Sequence, residues 1–268
     1  MGANAAVRAP VARTGRSGRL VAAMILAGAL AACQAAPITG RSQLILVPES
    51  QDAQMGLSAY QRIKSESRIS TDPELNRRVQ EVGRRIAAVS PHPEYDWEFT
   101  LFENDEPNAF ALPGGKVGVN TGLFKVARND DQLAAVMAHE VGHAIARHGA
   151  ERVSQQMVMQ VGLAGLGLGL GNQAYVDLAA AAATLGLILP FSRGQEAEAD
   201  HIGLIYMAEA GYDPRESIEL WRNFETLGGT PPEFLSTHPS PGSRIERLQA
   251  QMPEALAIYE ARSGANRY

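Results

Sequence analysis

The residues best suited to chemistry are His139-Glu140-Val141-Gly142-His143, set behind the apolar stretch Leu133-Ala134-Ala135-Val136-Met137-Ala138. On an α-helix each residue advances about 100°, so His139 and His143 project from one face, a turn apart. Two imidazole nitrogens so placed can both reach one metal ion at about 2.0–2.1 Å, the zinc–histidine bond length. Glu140 stands beside a ligand without being one, within reach of a water on the metal. This is the H-E-x-x-H pattern, two histidines for zinc and a glutamate for the proton. The apolar run ahead of it predicts a buried, mid-helix position.

A catalytic zinc takes three protein ligands and keeps a fourth position for water. A longer form of the motif would supply a glycine and a third histidine where this chain has Ala146 and Gly149. His148 lies about 500° past His143 on a continued helix, so it is expected at the surface near the helix end, facing away. The string Ser192-Arg193-Gly194-Gln195-Glu196-Ala197-Glu198-Ala199-Asp200 offers a better third ligand. It opens a second helix, on which Glu196 and Asp200 share a face while Glu198 is turned away. Glu196 is expected to ligate. Asp200 is expected to receive the second N–H of a ligand histidine, fixing its tautomer. Taken alone, the pair Glu196 and Asp200 reads more often as a solvated charge cluster.

Both helices need a scaffold. Met55, Leu57, Tyr60 and Ile63 recur at helical spacing between Glu49 and about Ile69. Asp72-Pro73 is a helix start, followed by the stripe Leu75, Val79, Val82 and Ile86. The period then shortens. Trp97, Phe99 and Leu101 alternate with polar residues, Ala109 to Leu112 is a short apolar run, and Val117 and Val119 alternate after the turn Pro113-Gly114-Gly115. These segments predict a small antiparallel sheet, and everything after Leu123 reads as helix. The expected fold is α+β and helix-dominated, zincin-like, with the H-E-x-x-H helix at the active site. The glycine–leucine run Val161 to Gly171 and the alanine-rich Ala179 to Pro190 fit no nucleotide loop. Asn172, Gln173 and Asp177 interrupt them as a membrane span, which leaves a packed helical pair or a surface-seeking hairpin. No internal repeat is visible.

The amino terminus is a separate unit. Arg8, Arg13, Arg16 and Arg19 precede an apolar stretch from Leu20 to Ala32, and no acidic residue occurs before Cys33. That is the form of an export signal, and the stretch falls short of the about 20 residues a spanning helix needs. Leu30-Ala31-Ala32-Cys33 resembles the bacterial lipobox, whose cysteine is lipidated and becomes the first mature residue. Cys33 is the chain's one cysteine, so it forms no internal disulfide. The expected organisation is a lipoprotein signal peptide over 1–32, a lipidated tether over 33–48 and a metalloprotease domain over 49–268. An uncleaved anchor helix is the alternative. The lipid would hold the chain at a membrane with more than one acyl chain; Gln34 in place of aspartate implies, by resemblance, the outer membrane. Removing four arginines and no acid takes the formal net charge from −5 to −9. An acidic body without a basic block argues against nucleic acid as a partner.

Further strings fall in order along the chain: Asn108-Ala109-Phe110-Ala111-Leu112-Pro113-Gly114-Gly115, Thr121-Gly122-Leu123, and Ser236-Thr237-His238-Pro239 with Arg244. With His139–His143 and Ser192–Asp200 they resemble the gluzincin metallopeptidase family of the CAAX prenyl protease and HtpX. The layout is similar to its periplasmic BepA- and LoiP-type members. The sequence lacks the spanning helices of the first two and shows no repeat module after Arg244. The resemblance implies one zinc ion per chain, held by His139, His143 and Glu196, with Glu140 as catalytic base. It implies that His238 can sit on the metal and hold the enzyme inactive; a plain turn histidine, or a donor to the oxyanion, are the other readings. Arg244 either stabilises the oxyanion or braces its loop.

Asn108, Ala109 and Phe110 are expected at a sheet edge, where an extended substrate lies as an added strand. Main-chain binding of that kind favours unfolded segments. The expected function is a zinc-dependent endopeptidase that cleaves unfolded or misassembled cell-envelope proteins, facing the periplasm, with envelope assembly factors as further partners. A latent or non-catalytic scaffold that retains the zinc site is the alternative, as is a metal-sequestering lipoprotein.

Overall fold

The computed structural model describes residues 33–165, 191–227, 233–238 and 244–265. The export signal expected over 1–32, and all but the start of the run from Val161 to Pro190, lie outside them. The chain opens with the antiparallel hairpin β1 (Cys33–Ala35) and β2 (Ser42–Leu44), followed by α1 (Glu49–Glu66) and α2 (Pro73–Val89). Three strands come next, β3 (Glu98–Phe102), β4 (Ala109–Leu112) and β5 (Lys116–Asn120), and then a 3-10 turn (Thr121–Lys125). Helices complete the chain: α3 (Asp130–Ile145), α4 (His148–Gly165), α5 (Arg193–Glu209), α6 (Glu216–Glu225), α7 (Glu233–Thr237) and α8 (Arg244–Ala265).

Local signals set these elements as expected. The Asp72 side chain accepts from the N–H groups of Glu74 and Leu75, with Pro73 in the first turn of α2. Val79, Val82 and Ile86 of the stripe are fully buried. They join Phe99, Leu101, Val117 and Val119 of the sheet in one core around α3. Residues 132 to 143 of α3 are buried without interruption. A helix apolar on all sides is a central one, with neighbours all round.

The sheet is mixed, which corrects the antiparallel expectation in part. β4 pairs antiparallel with β5 through a turn whose Gly114 and Gly115 have φ of 79° and 83°, a region glycine enters without strain. β3 pairs with β5 in parallel, giving the order β3-β5-β4. Residues 103 to 108 carry the chain across to the far edge before the tight turn inserts β5 in the middle. The outer edge of β3 is covered, because Ser70 N–H donates to Leu101 O and Glu103 N–H to Arg68 O, both at 2.8 Å. Among the described residues no strand pairs with the outer edge of β4.

The segment expected as a tether is docked on the domain. Ile45 and Val47 are buried with Ala150 and Val153 of α4, and Leu46 N–H donates to Ser154 Oγ at 2.8 Å. Apolar residues within the segment supply the reason. α3 ends in a reversal at Arg147, whose φ of 53° lies in the left-handed region. Its guanidinium holds that turn by donating to Asp52 Oδ2 at 3.1 Å and to Val47 O at 2.8 Å. Among the described residues no helix is long and apolar enough to cross a membrane.

Candidate active site

Two helices carry the metal-binding candidates, and both have defined starts. Asn129 caps α3, its side chain accepting from Gln132 N–H at 2.8 Å. Ser192 and Gln195 form a reciprocal capping box on α5, which places Glu196 in its first turn. The helices approach closely because each presents a glycine. A Cβ at Gly142 would stand 3.2 Å from Ala199 O, and one at Gly203 would stand 3.1 Å from His139 N. That proximity lets Glu196 reach across to the histidines.

The side chains converge. His139 Nε2 and His143 Nε2 are 3.1 Å apart, and Glu196 Oε1 lies 3.2 Å from the second. His238, following α7, completes the group, with Nδ1 at 3.0 Å from Glu196 Oε1 and 3.3 Å from His139 Nε2. One ligand atom from each of the four lies within 4.8 Å of the rest, and all four residues are buried. Glu196 Oε2 and Glu140 Oε1 have no hydrogen-bond partner. Buried imidazoles and a carboxylate that converge on one point, with a carboxylate oxygen left unpartnered, fit a divalent metal ion, for which both are suitable ligands.

Electrostatics supply the protonation states such a site needs. Burial drives His143 well below its usual value, so the ring is neutral and free to ligate. Burial alone would raise Glu196, but hydrogen bonds to His143 and His238 outweigh it and hold the carboxyl well below the usual range. Glu140 moves the other way. Burial lifts its carboxyl above the usual range against the pull of His238 and His139, as suits a group that must take up a proton. For His238, burial is outweighed by the Glu140 and Glu196 charges, and its value rises.

Asp200 stands where expected, with Oδ1 3.0 Å from His139 Nδ1. Arg244 is buried and donates from Nε to Asp200 Oδ1 at 2.9 Å, while its guanidinium lies over the Trp221 ring at 3.7 Å. Its Nη2 also lies 3.0 Å from His139 Nδ1 and its Nη1 3.3 Å from Glu196 Oε2, so Arg244 stands against the ligand candidates as well as Asp200. His148 corrects an expectation outright. It is fully buried, with Nδ1 2.8 Å from His143 Nδ1 and Nε2 2.9 Å from Glu198 Oε2. The reversal at Arg147 ends the helical progression, so the outward direction of a continued helix does not apply. Glu198 is turned away from the Glu196 face, as expected, and meets this histidine instead.

A cleft of about 410 Å³ opens beside the group, lined by Asn108, Ala109, Phe110, Ala111, Glu140, Phe191 and His238 among others. The outer edge of β4, on which no described strand pairs, forms one wall, and the Glu140 carboxylate accepts from the main chain of Ala111 on that strand. Phe191 went unnoticed in the sequence. Its ring stacks on His143 at 3.8 Å and on His238 at 5.1 Å, and its N–H donates to Thr237 O at 3.1 Å. Only its place before the capping box could have signalled it.

Fold and site together define a metallopeptidase of the zincin type. Comparison with known proteins agrees: residues 73–252 match the model of peptidase family M48, and the chain belongs to that family. It is similar to the mitochondrial metalloendopeptidase OMA1 of Schizosaccharomyces pombe, with 37% identity across 82% of this chain and 66% of that protein. The OMA1 of Arabidopsis thaliana is 39% identical across 72% of this chain and 40% of its own length. The beta-barrel assembly-enhancing protease of Escherichia coli K12 is 32% identical across 78% of this chain and 45% of its own. The chain thus spans less than two thirds of the length of each of these three relatives.

Proposed function

We propose that this chain is a zinc-dependent endopeptidase that cleaves unfolded or misassembled proteins in a bacterial cell envelope, held to a membrane by lipid on Cys33. The observation that carries this reading is the placement of Glu140, which touches the open edge of β4 on one side and the His139–His143–Glu196–His238 group on the other. His139, His143 and Glu196 would hold one zinc ion, with Asp200 orienting His139. When bound, zinc supplies Lewis acidity toward a carbonyl oxygen and a water molecule. Glu140 takes the proton from the attacking water and returns it to the leaving amine nitrogen. The edge over Asn108, Ala109 and Phe110 aligns an extended chain by main-chain hydrogen bonds, which suits unfolded substrates. A relative named for beta-barrel assembly supports work on cell-envelope proteins, and the lipobox-like Leu30 to Cys33 favours a bacterial envelope, facing the periplasm.

The position of His238 supports a resting state in which its ring occupies the place water needs. His238→Ala is then expected to raise cleavage while leaving zinc content unchanged, and a fall in turnover would assign it to the oxyanion instead. The proposed activity is tested with casein. Cleavage should stop when a chelator removes metal and return with stoichiometric zinc; cleavage that survives complete removal contradicts the reading.

A further inference from the structure

The support behind His143 reaches much farther than the motif that names it. We propose that the amino-terminal hairpin is part of the active site: Arg41 is a positioning residue that acts through Glu198 and His148 to set the ring of His143 for metal binding. The inference rests on the metallopeptidase reading above.

Hydrogen placement carries the argument. His143 presents Nε2 to the cluster, and a ligating nitrogen needs its lone pair, so the hydrogen of the neutral ring sits on Nδ1. That atom lies 2.8 Å from His148 Nδ1, which must therefore accept. The hydrogen of His148 is then on Nε2, 2.9 Å from Glu198 Oε2. Every hydrogen along the line has one place, and the line ends on a carboxylate that has to stay charged and fixed.

Residues outside α5 fix it. Arg41 Nε donates to Glu198 Oε2 at 2.6 Å, and the Thr39 hydroxyl donates to Oε1. The other arm of the same guanidinium grips Glu151, with Nη1 and Nη2 each 2.8 Å from one of its oxygens. Gln195 Nε2 reaches Glu151 at 2.8 Å from the capping box of α5. A planar fork can bind two carboxylates in fixed directions, which a lysine ammonium cannot. Thr39 and Arg41 belong to the connection between β1 and β2, six and eight residues after Cys33 in the sequence. A brace for the hairpin alone would affect stability only. A positioning role affects how tightly the site holds metal.

The two are separated by measuring zinc affinity through chelator competition, alongside the melting midpoint in EDTA, on the full chain. His148→Phe fills the space without offering an acceptor and should weaken zinc binding about 10–100-fold, the usual cost of losing a partner behind a ligand. His148→Gln, whose carbonyl can accept from Nδ1, should recover part of that loss. Arg41→Ala should weaken binding about tenfold, within the same range, with Arg41→Lys incompletely restoring it. Arg62→Ala, which breaks an exposed pair with Glu66, should leave zinc affinity at the parental value. Should His148→Phe fail to fold, Arg41→Ala decides, since that side chain is 33% exposed and its removal opens no core. Parental zinc affinity in folded Arg41→Ala and His148→Phe overturns the proposal, even with a lowered midpoint, and leaves the peptidase reading intact. A parent that binds no zinc overturns that reading itself.

Discussion

The two histidines of one motif stand on different supports. Behind His139 is a carboxylate, Asp200, from the same helix as Glu196 and braced by Arg244. Behind His143 is a second imidazole, His148, whose own partner is Glu198 and whose last fixed point is Arg41. The first support is short and built between helices that already face each other. The second crosses a chain reversal and ends in the amino-terminal hairpin. A carboxylate directly behind a ligand strengthens its basicity. A neutral imidazole does so only as well as its own acceptor allows, so the weaker support is the one with more parts.

Unequal consequences follow on the two sides. Asp200→Asn should weaken zinc binding about 10–100-fold, and by more than His148→Gln does. Equal losses in a chelator competition would show the two supports to be equivalent. Packing differs as well. Gly203→Ala sets a methyl group 3.1 Å from His139 N and should cost about 1–3 kcal/mol in denaturant unfolding, as overpacking does. Gly149→Ala, beside His148, meets nothing within 4 Å and should not destabilise. The smallest effect concerns acid. Burial would raise the Glu151 carboxyl, but hydrogen bonds from Arg41 and Gln195 outweigh it and hold it below its usual 4.5. A depressed carboxyl contributes stability above its unfolded value and loses it as pH falls through the folded one. Metal-free parent should therefore lose more melting temperature below pH about 4.5 than Arg41→Ala does; parallel curves would remove this contact from the stability of the hairpin.

The difference between the supports also governed what the sequence made legible. His139, Glu140, His143, Glu196 and Asp200 lie on two uninterrupted helices, where a period of 3.6 converts spacing into direction. Asp72-Pro73 and Ser192 with Gln195 marked helix starts through local hydrogen bonding that needs no distant partner. His148 failed because its direction depends on one left-handed residue, Arg147, which spacing does not announce. Arg41 had no local signal, since its partner Glu151 is 110 residues away. Alternation found β3 and β5, and a short apolar run found β4, but not their order, because pairing is settled by the route of the chain between strands.

The central claim is that Glu140 handles the proton while Glu196 holds the metal. Zinc content and casein cleavage measured together on Glu140→Gln and Glu196→Ala test it most directly. Glu140→Gln should keep one zinc per chain and lose about 10²–10⁴-fold in cleavage, the usual worth of a general base, whereas Glu196→Ala should lose the zinc as well. Stoichiometric zinc of unchanged affinity in Glu196→Ala, or cleavage within a few-fold of the parent in Glu140→Gln, would contradict it.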